Sequence, residues 1–149
     1  MMTEISLNVL DVSENSTRAG ASLVTILVTA DTSADKLTIV IADNGCGMTP
    51  EQAAHVTDPF FTTRTTRKVG LGIPFFKYAA ESTGGSFHIE SEPGKGTTVT
   101  AVFGLSHIDR MPLGDMNATI HNLIVYHPDT DFLYTYTYND AHSPWTPGR

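Results

Sequence analysis

Asp11 and Asn15, near the start of the chain, place an acid and an amide four residues apart. The stretch from Thr3 to Ser16 has apolar residues at helical spacing, and residues four apart share one face of a helix. An asparagine oxygen is a suitable ligand for a hard cation that keeps most of its water and phosphate ligands. The alternative is a solvated helix face on which Asn15 forms a local cap.

A second candidate site is the segment Asp43-Asn44-Gly45-Cys46-Gly47-Met48, which directly follows an apolar strand. A carboxylate at a strand end can accept a hydrogen bond from an exocyclic amine such as that of adenine. Gly45 and Gly47 carry no side chain, so a flat ring could approach the backbone there, with Met48 as a soft apolar contact. The alternative is an ordinary Asn-Gly turn, because short glycine motifs often occur without a ligand.

Two further segments are suited to phosphate and hydroxyl contacts. Residues 62–72 form a basic loop that enters a helix through Gly70-Leu71-Gly72, and backbone amides at such a helix start bind anions. Arg64 and Lys68 add positive charge to this loop, and Thr97 offers a hydroxyl from a predicted hairpin. The alternatives are an ordinary helix start behind a solvated loop and a plain hairpin turn.

The elements that must position these residues follow from hydrophobic periodicity and turn residues. We expect the opening helix to end near Gly20 and a later helix to have Asp115 as its N-cap. The predicted order is a helix over 3–16, antiparallel strands over 23–29 and 37–41, a short helix opened by 49–51, a loop over 56–72, a helix over 72–82, a strand pair over 86–91 and 97–103, a helix over 116–126 and a strand over 132–138.

Composition excludes several classes of protein. The 149 residues carry a formal charge of -7, and so acidic a chain is a poor binder of nucleic acid, although local geometry can still hold a nucleotide. The single cysteine, Cys46, rules out an internal disulfide and any multi-cysteine metal site. No apolar run is long enough to cross a bilayer and no signal peptide is evident, so we expect a cytoplasmic protein without a membrane segment.

In this order, the segments resemble the boxes of the GHKL superfamily, which includes DNA gyrase, the large heat-shock chaperone, sensor histidine kinases and mismatch-repair ATPases. The matching residues are, box by box, Asn15 for the metal box, Asp43, Gly45 and Gly47 for the adenine box, 58–63 for the aromatic box of histidine kinases, Gly70-Leu71-Gly72 for the phosphate loop and 94–97 for the last box. The resemblance implies an α+β fold, the two-layer α/β sandwich known as the Bergerat ATP-binding fold, with a mixed, mostly antiparallel sheet and helices on one face.

The same resemblance implies ATP and Mg²⁺ as cofactors, with Asn15 as the metal ligand. The implied nucleotide-binding residues are Asn15, Ala19, Asp43, Gly45, Gly47, Met48, Phe61, Thr62, Thr63, Arg64, Lys68, Gly70, Leu71, Gly72 and Thr97. Asp11 departs from the family pattern, because hydrolysing members have a glutamate at this position and histidine kinases usually have an asparagine. Asp11 is therefore either a catalytic general base or a residue that only orients hydrated magnesium.

Because the sequence starts at the first box, we expect it to lack the helical hairpin that carries the phosphoacceptor histidine of sensor kinases. We therefore expect a protein partner or a phosphoacceptor in trans. The leading hypothesis is a stand-alone histidine-kinase-like ATPase domain that turns over ATP slowly or phosphorylates that partner. The alternative is a regulatory module resembling anti-sigma factors, in which ATP organises a partner-binding lid without significant turnover.

Residues 105–140 have no counterpart in the shared boxes. We expect residues 1–104 to form the ATP-binding core, 105–140 to form a helix–strand extension that completes the same domain, and 141–149 to form a tail. The extension could replace the strand, helix and strand that precede the first box in histidine kinases, as in a circular permutation. Ile120, Leu123 and Ile124 would then pack against the sheet. The alternative is a partner-binding extension or a strand that forms a homodimer.

Overall fold

The structure, a computed structural model, describes residues 4–57 and 72–139. The predicted elements within these ranges are all present, with ends close to those expected from the sequence. They are α1 (Ile5–Arg18), β1 (Leu23–Asp31), β2 (Lys36–Asp43), α2 (Pro50–Val56), α3 (Gly72–Glu81), β3 (Ser86–Glu92), β4 (Gly96–Gly104), α4 (Met116–Tyr126) and β5 (Asp131–Tyr138). The loop predicted between 56 and 72 lies outside the described residues except at its two ends.

The strands form one five-stranded sheet in the order β3-β4-β2-β1-β5. Neighbouring strands pair antiparallel except for β5, which pairs parallel with β1 over its whole length. A parallel partner needs a crossover connection, and α4 lies in the chain directly before β5. The prediction of an α+β fold with a mixed, mostly antiparallel sheet is confirmed.

One face of the sheet is buried beneath the helices. Along β1, Val24, Ile26 and Val28 are buried, whereas Leu27 on the opposite face is 38% exposed. This alternation is typical of a sheet that is covered on one side. The cross-strand pairs extend the apolar row, because Ile26 lies opposite Ile41 and the latter lies opposite Val99. The apolar residues of α1, such as Val9, are buried in the same core.

The helices begin and end where the sequence predicts. Thr49 and Gln52 form a capping box at the start of α2, and Pro50 occupies its first turn. Asp115 caps α4 by accepting a hydrogen bond from the Ala118 N–H at 2.9 Å. After α1 the chain turns at Gly20, whose φ of 82° lies in the left-handed region that glycine tolerates best.

The C-terminal helix and strand contact the elements that precede them. The side chains of Met116 and Leu123 on α4 are buried in the same core as α1 and the sheet, and Ile120 is half-buried against it. The prediction for Ile124 is wrong, because its side chain is 50% exposed. It follows Leu123 by one residue, which rotates it about 100° around the helix and away from the buried face.

Within the described residues, no helix is both long enough and apolar enough to span a membrane.

Candidate functional site

The Asp43 carboxylate is fixed at the end of β2 by two hydrogen bonds. The Ser16 hydroxyl of α1 donates to one carboxylate oxygen at 2.6 Å, and the Gly45 N–H donates to the other at 2.8 Å. Two donors from different elements hold the carboxylate in one orientation, and each oxygen keeps a further lone pair for an incoming donor. The arrangement suits recognition of an amino group on a ligand.

A chain of hydroxyl contacts connects the segment after β2 to the hairpin of β3 and β4. The Met48 N–H donates to the Ser91 hydroxyl oxygen at 2.7 Å. That hydroxyl lies 2.7 Å from the Thr97 hydroxyl and 3.1 Å from the Gly96 carbonyl. Because Asp43 lies directly opposite Thr97 in the β2–β4 ladder, these contacts place Met48 and Thr97 around the carboxylate end of the sheet.

The glycines of this region allow backbone segments to approach one another closely. A Cβ at Gly47 would overlap the Glu92 carbonyl, and a Cβ at Gly96 would overlap the Asp43 carbonyl. Both glycines also have φ in the left-handed region, at 71° and 126°. The sequence suggested that glycine makes room for a ring. The structure shows in addition that the hairpin itself occupies the space beside Gly47.

Ala19 and Gly45 connect the end of α1 to the same segment. The Cys46 N–H donates to the Ala19 carbonyl at 2.9 Å, and a Cβ at Gly45 would lie only 3.0 Å from the Ala19 side chain. The Cys46 carbonyl in turn accepts from the Gly94 N–H at 2.7 Å. These contacts link the first helix, the segment after β2 and the hairpin turn into one structural unit.

Asp11 and Asn15 lie on α1 beside this unit. The Asn15 side-chain oxygen accepts a hydrogen bond from the Arg18 guanidinium at 3.0 Å. Burial raises the pKa of the Asp11 carboxyl, while the Arg18 charge acts to lower it and the Glu14 charge to raise it. At the start of α3, a Cβ on Gly72 would lie 2.8 Å from the Asp11 Cβ, so this glycine packs directly on the acid.

The predicted site residues that the structure describes are Asp11, Asn15, Ala19, Asp43, Gly45, Gly47, Met48, Gly72 and Thr97. The contacts above connect Ala19, Asp43, Gly45, Gly47, Met48 and Thr97 with one another. Gly72 packs separately on Asp11, and Asn15 contacts Arg18. The others, Phe61, Thr62, Thr63, Arg64, Lys68, Gly70 and Leu71, lie outside the described residues. Among 4–57 and 72–139 no group of three or more His, Cys, Asp or Glu side chains could hold a metal ion.

The sequence analysis missed Ser16 and Ser91, which orient Asp43 and Thr97. Ser16 continues the buried α1 face four residues after Val12, and a hydroxyl at such an apolar position usually has a polar partner. Ser91 lies opposite Thr97 in the β3–β4 register, which follows from the hairpin alone. Both signals were therefore present in the sequence, although only the three-dimensional fold identifies their partners.

The chain matches the family model of the histidine kinase-, DNA gyrase B- and HSP90-like ATPases over residues 1–107. It belongs to this family of ATP-binding domains. The predicted membership of the GHKL superfamily is confirmed, and ATP is the ligand that the family binds.

Individual relatives are sensor proteins. The chain is 33% identical over 102 residues to the sensor protein SrrB of Staphylococcus aureus (strain NCTC 8325). The matched region covers 65% of this chain and 17% of that protein. It is 39% identical over 70 residues to a chain of Shewanella frigidimarina (strain NCIMB 400) whose name describes a sensor protein, covering 46% of this chain and 11% of the other. The chain thus spans less than a fifth of the length of these relatives.

Proposed function

We propose that this histidine-kinase-like ATPase domain binds Mg²⁺–ATP at the Asp43 end of the sheet and acts on, or regulates, a protein partner in trans. The observation that carries the proposal is the Asp43 carboxylate, which Ser16 and Gly45 orient at 2.6 and 2.8 Å. Adenine presents an exocyclic amine, and a carboxylate held by two donors is a strong acceptor for it. The surrounding glycines and Met48 supply backbone and apolar contacts for the ring.

The residues of α1 fit a magnesium ion that is held mainly by phosphate and water. Asn15 offers a neutral amide oxygen, and Mg²⁺ typically keeps several waters and binds few protein ligands. Arg18 contacts that oxygen at 3.0 Å and would have to release it when the metal binds. Magnesium would neutralise phosphate charge, and the protein's part is to position the amide oxygen.

Gly72 connects the phosphate-binding prediction to Asp11. The proposed phosphate-loop residues Gly70 and Leu71 immediately precede Gly72, which packs on Asp11 at the start of α3. Backbone amides at a helix start favour phosphate groups. We therefore assign the phosphate end of the nucleotide to the space beside Asp11 and Asn15. Phe61, Thr62, Thr63, Arg64 and Lys68 remain proposed contacts on the basis of the sequence.

Asp11 is the proposed general base. Burial raises the pKa of its carboxyl, which makes the ionised carboxylate a better proton acceptor. It lies one helical turn from Asn15, so it would be placed to accept a proton from a water or a partner's side chain that attacks the terminal phosphate of a nucleotide held there. This role would support slow hydrolysis or transfer of the phosphoryl group to a partner.

The release of phosphate from Mg²⁺–ATP, measured at high protein concentration, tests the proposal. The wild type should release phosphate slowly, and Asp11→Asn should reduce the rate by roughly 10²-fold or more while ATP binding is retained. Asp31→Asn is the matched control, because this acid at the end of β1 accepts hydrogen bonds from Ser33 and Ala34 of the turn that follows and should leave the rate unchanged. ATP binding without turnover in the wild type would favour the alternative, a regulatory module in which ATP organises a partner-binding surface.

A further inference from the structure

The two edges of the described sheet differ in charge. The β3 edge carries His88, Glu90 and Glu92, and charged side chains of this kind discourage pairing with another strand. The β5 edge has no charged residue and no proline from Phe132 to Tyr138, and its register with β1 is continuous. Within the described residues, the stretch from Phe132 to Tyr138 therefore has no charge, proline or bulge of the kind that protects an edge strand from pairing.

The hydrogen bonds of β5 show which of its backbone groups face outward. The Asp131 N–H donates to the Ser22 carbonyl at 2.8 Å, and the Asn139 N–H donates to the Ala30 carbonyl at 2.7 Å. In a parallel pair, alternate residues direct both backbone groups to the neighbouring strand. The odd-numbered residues of β5 therefore bond to β1. The even-numbered residues, which are Phe132, Tyr134, Tyr136 and Tyr138, turn their N–H and C=O groups to the open edge.

We propose that β5 pairs antiparallel with β5 of a second copy of this chain, with Thr135 on the two-fold axis. The strand is self-complementary in this register. Phe132 faces Tyr138, and Tyr134 faces Tyr136, so aromatic residues lie opposite aromatic residues on the helix side of the sheet. These even-numbered residues are the ones whose backbone N–H and C=O groups point away from β1. Each hydrogen-bonded pair across the axis therefore joins backbone groups that face the edge of the sheet in a single copy.

The distribution of charge favours pairing of two copies through β5 rather than through β3. Each chain carries a formal charge of -7, so two copies repel at long range and meet most easily through uncharged surfaces. In the proposed register, Asp131 faces Asn139 and no carboxylate faces another. Antiparallel pairing of two β3 strands about Ser91 would instead place Glu90 of each copy opposite Glu92 of the other.

The helix that contacts β5 supplies further apolar surface. At the end of α4, Ile124, Val125 and Tyr126 are 50%, 54% and 74% exposed. A single strand pair buries less area than a stable interface, which needs about 1,200 Å² or more. Apolar residues on α4 next to the paired strands add to the buried area. The interface therefore consists of two β5 strands in one continuous sheet, flanked by the ends of two α4 helices.

Sedimentation equilibrium with charged variants at residue 135 tests the pairing. The wild type should be a dimer. Thr135→Lys and Thr135→Glu each place like charges opposite one another across the axis and should weaken dimerisation by roughly tenfold or more. An equimolar mixture of the two variants should recover the dimer as a heterodimer, because opposite charges then face each other. Ser86→Lys, on the exposed β3 edge, is the matched control and should leave the mass unchanged.

Amide hydrogen exchange of the wild type gives a test that needs no variant. Pairing should protect the amides of Tyr134 and Tyr136 as strongly as those of Leu133 and Thr135, whereas an open edge protects only the odd-numbered residues. A monomeric wild type, a dimer that persists in both charged variants, failure of the mixed variants to associate, or alternating protection along β5 would each overturn the proposal.

Discussion

At the proposed nucleotide end of the sheet, formed by Asp43, the segment 44–49 and the hairpin turn 93–96, close backbone contacts and hydroxyls hold the side chains in place. On the C-terminal side, formed by α4 and β5, the residues are held mainly by apolar packing and by the parallel pairing of β5 with β1. Gly47 packs on the Glu92 carbonyl, whereas Leu123 is simply buried. The first region depends on exact residue types at a few positions, and the second depends on the total apolar surface that it buries.

The largest effect should come from removing the C-terminal side altogether. Truncation after Phe103 removes β5 from the edge of β1 and uncovers the α1 surface that contacts α4. It also deletes Met116 and Leu123 from the core. We expect this fragment to lose its cooperative thermal unfolding transition, measured by circular dichroism. A soluble, cooperatively folding fragment that binds ATP would show that residues 105–140 do not complete the same domain.

At the proposed nucleotide end, Gly47→Ala should cost at least about 3 kcal/mol of stability, because its Cβ would overlap the Glu92 carbonyl and the φ of 71° is unfavourable for alanine. Gly94→Ala is the matched control. It has a similar φ of 78° but open space around the added Cβ, so the cost should stay near 1 kcal/mol. Urea denaturation measures both. Equal costs would show that the close approach to Glu92 is unimportant.

On the C-terminal side, Leu123→Ala should destabilise the protein by about 2–5 kcal/mol, because its side chain is fully buried. Asn122→Ala, one residue earlier on α4, should change stability by less than about 0.5 kcal/mol because its side chain is exposed. The same denaturation experiment compares the two. A larger effect at Asn122 would mean that α4 presents a different face to the core.

The smallest effect concerns Asp11 and depends on pH. Burial raises the pKa of the Asp11 carboxyl in the folded state above its value in the unfolded state. At pH values above the folded-state pKa, ionised Asp11 therefore lowers the free energy of unfolding. Asp11→Asn should therefore raise the melting temperature slightly at pH 7, by roughly 1–2 °C. The gain should disappear below the ordinary pKa of an aspartate, about 3.9, where both states are protonated. A gain that grows on acidification would contradict a raised pKa.

Much of the fold follows from the sequence because its signals are local. Alternating strands, the Thr49-Pro50 helix start and the Asp115 N-cap need only neighbouring residues. The contacts of Ser16 with Asp43, 27 residues later, and of Ser91 with the Met48 N–H, 43 residues earlier, could not be assigned because they depend on partners reached through the fold. Ile124 was misplaced because an apolar run on α4 does not say which of its sides faces the core.

Calorimetric titration of ATP into the wild type and into Asp43→Asn, with Mg²⁺ present, tests the nucleotide assignment most directly. The wild type should bind, and Asp43→Asn should show no detectable binding, because it loses a charge-assisted hydrogen bond worth about 1.5–3 kcal/mol and disturbs the contacts to Ser16 and Gly45. Asn15→Ala should weaken binding only when Mg²⁺ is present. Wild-type affinity in a folded Asp43→Asn variant would contradict adenine recognition by this carboxylate.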